Sequence, residues 1–164
     1  MKHTGLFPFV RLFPQQGTAE TRVLTVQGSA ALPDDEYGLL DSYCVEAGCH
    51  CRRVMINVAG RGQQKILASI GFGFDRDGED AGPYLDPLNP QSRYADVLLD
   101  MVEQVLADPS YVARLEAHYY QVKGAVADPA HSCQQLLAGS AGEDRLRLPN
   151  RQARRKQARR GTLR

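Results

Sequence analysis

Three of the four cysteines in this chain stand within eight positions, in the run Tyr43-Cys44-Val45-Glu46-Ala47-Gly48-Cys49-His50-Cys51-Arg52-Arg53. Zinc gathers thiolate sulfur and imidazole nitrogen into a tetrahedron, so one short loop with three cysteines supplies most of a closed structural shell. The spacing C-x4-C-x-C brings no fourth ligand of its own. Cys133 would complete a four-thiolate shell, and His50, His118, His131 and Asp41 are the other candidates. His50 lies between two ligand positions, where its side chain tends to point away from them. Buried free thiols, or a disulfide or redox pair within the loop, are the competing readings of the same residues. Arg52 and Arg53 suit the metal, because three or four thiolates around one dication leave negative charge that a guanidinium offsets. An ordinary exposed strand start would explain them equally well.

Other groups carry weaker signals. Asp75-Arg76-Asp77-Gly78-Glu79-Asp80 resembles the opening of a calcium loop, but such a loop needs its glycine at position 6 and Gly78 falls at position 4. A solvated turn is the better reading. His118, next to Tyr119 and Tyr120, has no nucleophile or orienting acid close by in sequence, which favours a packed histidine over a general base. No catalytic triad, phosphate loop or paired-carboxylate motif stands elsewhere in the chain.

The elements that must position the cysteines are legible from periodicity. Residues 6–13, with Pro8 among bulky side chains and Pro14 just beyond, suit an edge strand or an arm across the core. Residues 21–27 are rich in β-branched types and end at Gly28, and a turn at Pro33-Asp34-Asp35 precedes a further strand over residues 37–43. After the cysteine loop, the apolar run 54–59, the turn Gly60-Arg61-Gly62-Gln63 and the return over 66–74 predict a hairpin. The loop therefore joins two strand ends, and a metal there would clamp them.

In the second half the period lengthens. Tyr94, Val97, Leu98, Met101, Val105 and Leu106 follow the spacing of one helix face, with Ser92 as N-cap. Asp108-Pro109 starts a second helix through Tyr111, Leu115, Tyr119 and Val122, terminated at Gly124, and Asp128-Pro129 starts a third that Gly139 stops. The rigid, proline-rich loop over residues 85–91 reads as structural packing against the first helix. Strands first and helices after predict an α+β domain: a small antiparallel sheet with a cysteine-rich metal loop, followed by two or three C-terminal helices.

Charge divides the chain differently. Residues 145–164 hold Arg145, Arg147, Arg151, Arg154, Arg155, Lys156, Arg159, Arg160 and Arg164 without an acid, which leaves the first 144 residues at −8 although the whole chain is +1. Residues 138–144 are small and polar. The expected organisation is a metal-binding domain over 1–137 and a flexible linker with a basic tail over 138–164. Arg151, Arg154, Arg155, Lys156, Arg159 and Arg160 would contact RNA, the ribosome or an acidic protein, chiefly by charge, since no aromatic residue interleaves them to stack on bases. The cysteine count is far below that of small secreted disulfide scaffolds and no leader pattern opens the chain, so the cytoplasm is the expected compartment. No apolar stretch approaches the roughly 18 residues a membrane span requires.

Three ordered matches support a family resemblance. Tyr43-Cys44 with Cys49-His50-Cys51-Arg52-Arg53-Val54, then residues 85–92 (Leu-Asp-Pro-Leu-Asn-Pro-Gln-Ser), then His118-Tyr119-Tyr120-Gln121-Val122-Lys123 resemble an uncharacterised bacterial protein family associated with the SEC-C zinc-binding motif. The resemblance spans about residues 37–124 and implies a metal-binding accessory domain, with Cys44, Cys49 and Cys51 as ligands. The SEC-C motif itself is missing here, and the arginine-rich stretch stands in its place. A non-enzymatic, zinc-stabilised interaction domain is the expected function. A metal- or cysteine-dependent enzyme or redox sensor is the alternative.

Overall fold

The structure is a computed structural model that describes residues 5–139. The described residues divide after Asp128 into two units, 5–128 and 129–139. The first unit is α+β, as the change of period predicts. Its elements run β1 (Leu6–Pro8), α1 (Phe9–Leu12), α2 (Pro14–Glu20), β2 (Arg22–Val26), β3 (Asp35–Cys44), β4 (Arg53–Gly60), β5 (Lys65–Gly73), β6 (Tyr84–Leu85), α3 (Ala95–Leu106) and α4 (Pro109–Ala127).

All six strands form one antiparallel sheet in the order β1-β3-β4-β5-β6, with β2 sharing the outer edge of β3 with β1. Alternation along β3 and β4 sorts the residues into two faces. Tyr37, Leu39, Tyr43, Val54, Ile56 and Val58 point inward and are buried, while Gly38, Leu40, Met55, Asn57 and Ala59 point outward and are half-buried. On the inner face lie α1, α3 and α4. Leu98 and Val102 of α3, and Leu115, Tyr119 and Val122 of α4, return at helical spacing to the same core.

Strand β5 is buried on both faces at its centre, and next to β6 a loop continues along the same edge. Asp86 N–H donates to Ser69 O at 2.9 Å and Ser92 N–H to Leu67 O at 2.9 Å. Between them the Gln91 amide accepts from Ser69 N–H at 3.0 Å and donates to Ser69 O at 2.9 Å and Asp86 O at 3.0 Å. One side chain thus does for Ser69 what a further strand would do. The proline-rich loop expected to pack rigidly does so through this glutamine.

Four local expectations change. Residues 6–13 contain an edge strand only as far as Pro8; the chain then enters α1, and Pro14 opens α2 at a first-turn position where its missing N–H costs nothing. Ser92 does not cap α3 but accepts from Tyr94 N–H just ahead of it. Gly124 does not end α4, which continues to Ala127, because a single glycine lowers helix propensity without blocking the backbone bond. The third helix begins at residue 133 rather than directly after Pro129, and Gly139 is still helical. Asp108, by contrast, caps α4 as expected, accepting from Ser110 N–H at 3.0 Å. Among the described residues no helix is long and apolar enough to cross a membrane.

Candidate metal centre

Cys44 is the last residue of β3 and pairs with Leu6 of β1, and its place in the alternation sets it on the outer face. Beyond it the chain turns back through a bond from Cys49 N–H to Glu46 O at 3.3 Å. The third residue of that turn is Gly48, with φ +79°, a conformation that glycine adopts without steric cost. Arg53 N–H then bonds Cys51 O at 2.7 Å and the chain enters β4. These constraints bring the sulfurs of Cys44, Cys49 and Cys51 within 4.8 Å of one another. Sulfurs around a tetrahedral zinc, each at about 2.3 Å from the ion, stand roughly 3.8 Å apart, so the three cysteines are placed to hold a metal ion.

None of the four cysteines is in a disulfide. The thiols of the cluster are hydrogen-bonded to one another, with opposite effects. The backbone N–H and thiol of Cys51 donate to the Cys49 sulfur, and Cys44 and Lys123 add to this, so the Cys49 pKa is lowered. Burial pushes the Cys51 thiol up to about 12. Ionisation is thus favoured at Cys49 and opposed at Cys51, and a bound dication would favour it at both.

The three cysteines also form one wall of a cleft of about 410 Å³ on the outer face. Leu6, Met55, Tyr84, Leu88 and Asn89 also line it, together with Glu46, Arg53 and Asp86. The Tyr84 ring lies over Gly71, where a β-carbon would meet it at 2.5 Å. Within the first unit, and among its described residues, no other His, Cys, Asp or Glu joins the cluster.

Comparison with models of known protein families, with curated proteins and with solved structures finds no match to this chain.

The remaining candidate ligands are accounted for individually. His50 is exposed on the loop. Asp41 and His118 face the opposite side of the sheet and bind each other. Cys133 is buried in the second unit, and its N–H donates to His131 Nδ1 at 3.1 Å. Arg52 serves neighbouring elements rather than the cluster: Nε bonds Asp75 at 2.9 Å, one terminal nitrogen bonds Glu116 at 2.6 Å, and the other bonds Tyr120. Arg53 reaches Asp80 at 3.5 Å. The acidic turn that resembled a calcium loop therefore supplies two carboxylates to arginines. Arg151, Arg154, Arg155, Lys156, Arg159 and Arg160 lie outside the described residues.

A second polar cluster was not expected. His118 of α4 is buried between two carboxylates, with Nδ1 2.7 Å from Asp41 of β3 and Nε2 2.5 Å from Glu20 of α2. Its ring stacks on Phe9 at 3.7 Å with an interplanar angle of 7°. Asp41 also accepts from Tyr43 Oη at 2.7 Å, and that hydroxyl lies 3.0 Å from Leu115 O. Burial works against a charged ring, but the bonds to Asp41 and Glu20 outweigh it and hold the His118 pKa above its ordinary value. The His118 bond lowers the Glu20 pKa in return. The network ties α1, α2, β3 and α4 together around this imidazole, and both carboxylates favour its charged form. It was hidden in sequence because its members lie 77 and 98 positions apart and α2 was not recognised.

Proposed function

We propose that the chain is a zinc-stabilised accessory or interaction domain of the kind its SEC-C-associated resemblance implies. Cys44, Cys49 and Cys51 hold the ion, and the arginine-rich tail makes the contact with RNA, the ribosome or an acidic protein in the cytoplasm. The observation that carries the reading is the convergence of three thiols at the junction of β3 and β4, where one ion would fasten two strand ends. Cys133 is the candidate that the sequence offers for a fourth thiolate, and metal retention in Cys133→Ser tests that expectation. The charge asymmetry supports the second half, because nine cations without an acid neutralise several phosphates at once.

The tail is tested by stopping the chain after Gly142 and titrating single-stranded RNA at rising salt. The full chain binds with a steep salt dependence, and the truncated chain loses that binding while its thermal midpoint stays nearly unchanged. Undiminished binding by the truncated chain would remove the tail from the function. The cleft beside the sulfurs favours a second reading, a metal- or cysteine-dependent enzyme or redox sensor. Rapid alkylation of Cys49 or Cys51 in the zinc-loaded chain is the result that would promote it.

A further inference from the structure

We infer that two copies of the chain join edge to edge through β2, which pairs antiparallel with the same strand of the second copy. The contact needs neither the metal nor the tail. The outer edges of the sheet belong to β1, β2 and β6 and to the part of β5 next to β6. All but β2 are blunted in the ways that keep sheets from pairing with other chains. β1 is three residues long and ends at Pro8, which has no N–H to offer. β6 is two residues long, and the neighbouring edge of β5 is occupied by Asp86, Gln91 and Ser92. β2 has no proline, and apart from Arg22 at its start it is uncharged. Its five pairs with β3 run without a bulge, the sheet's register shift lying between Val58 and Ala59. Alternate residues of such a strand turn N–H and C=O away from their neighbour, and among the described residues nothing bonds that outward set.

Self-complementarity selects a second copy as the occupant. Antiparallel pairing over the whole of β2 centres on Leu24 and sets Val23 opposite Thr25 of the second copy on both sides of the axis. Both residues are exposed on the outer face, and β-branched side chains pack well when directly opposed. Arg22 then stands opposite Val26, which pairs with Asp35 of its own β3. Each Arg22 thus lies two strands, or about 10 Å, from the other copy's Asp35 on the same face, within reach of an extended side chain. Arg22 has no ion pair among the described residues and rests 5.8 Å over the Tyr111 ring, and Asp35 accepts only from the backbone N–H groups of Glu36 and Gly62. The other charges near β2 are engaged: Asp34 accepts from Gly28 N–H, Arg61 pairs with Glu36, Glu20 with His118, Asp108 caps α4 and Arg114 reaches Glu20 O. Parallel pairing would set Arg22 beside Arg22. A five-residue pairing covers far less than the roughly 1,600 Å² of a standard interface, so the dimer is weak and forms as concentration rises.

The test is sedimentation equilibrium of the full chain, kept reduced by a phosphine, over a range from about 10 µM to 1 mM that suits a small interface. The average mass rises from one chain towards two, and at the upper end the amides of residues 22–26 exchange hydrogen more slowly than at the lower. The double variant Val23→Lys/Thr25→Lys opposes like charges at both pairs and weakens the dimer about tenfold, whereas Val23→Lys/Thr25→Glu opposes unlike charges and returns it to within about threefold of wild type. A single-chain mass throughout the range overturns the inference. Slowed exchange confined to residues outside β2, or a dimer that both variants form as well as wild type does, overturns it by placing the contact on another surface. A dimer that neither variant forms excludes the antiparallel register and overturns it too, and one lost on stopping the chain after Gly142 gives the contact to the tail instead.

Discussion

Strand β3 carries two clusters of reactive side chains on opposite faces, and they differ in how completely the chain satisfies them. Asp41 points inward, and its partner His118 finds an acceptor for each ring nitrogen and an aromatic ring beneath it. Cys44 points outward, and its cluster has only neighbouring thiols, one turn and an open cleft. The first is a finished structural joint whose charges are already compensated. The second has three potential anions in contact and gains its compensation from outside. Exposure to a cleft and unfinished charge balance, rather than the mere presence of polar residues, separate the site that takes a ligand from the one that only holds the fold.

Metal removal is the strongest way to break this contrast. Treating the zinc-loaded chain with a chelator should lower unfolding stability by roughly 4 kcal/mol, the linkage value for a ligand about a thousandfold above its Kd. A chelator that leaves the denaturation midpoint unchanged would place the two clusters in the same class. Next in size, His118→Ala should cost about 3 kcal/mol by denaturant titration, since Asp41 would lose the cation it is buried against. Glu20 is half-exposed and contributes less.

The same network predicts a pH dependence with two limits. The raised His118 pKa gives stability that is complete below its ordinary value of 6.5 and lost as pH rises through the folded value. The lowered Glu20 pKa gives stability that is complete above its ordinary value of 4.5 and lost as pH falls through the folded one. The network's contribution to unfolding free energy should therefore be greatest between about pH 4.5 and 6.5, and His118→Gln should flatten its alkaline decline. An unaltered profile in that variant would exclude the imidazolium.

Smaller effects sharpen the account of the scaffold. Gln91→Ala should cost about 1–3 kcal/mol by leaving Ser69 N–H unpaired, while Ser69 O keeps its bond from Asp86 N–H, and a neutral result would mean that water replaces the amide freely. Tyr111 Oη is buried with no hydrogen-bond partner among the described residues, so Tyr111→Phe should change stability by less than about 1 kcal/mol in either direction. A larger loss would reveal a partner for that hydroxyl.

The sheet and the two long helices were legible because their faces repeat along the chain, as in residues 54–59 and at Tyr111, Leu115 and Tyr119. The cysteine loop was legible because its ligands are local. What escaped notice depends on contacts distant in sequence or on short elements. In α1 and α2 only Phe9, Leu12 and Gly17 are buried, too few for a period to show, and Pro14 marked a strand edge as plausibly as a helix start. With α2 missed, Glu20 had no reason to meet His118. Asp41 was considered as a metal ligand because it is close to Cys44 in sequence, yet three positions along a strand place the two on opposite faces. The outer cleft depends on Tyr84, Leu88 and Asn89 arriving from another part of the chain.

The central claim is that Cys44, Cys49 and Cys51 form a metal centre, and native mass spectrometry of the purified full chain tests it most directly. The account predicts one zinc ion per folded wild-type chain, and none in Cys44→Ser or Cys51→Ser. A folded wild-type chain that carries no metal when purified without chelator, or a zinc ion retained in both variants, would contradict it.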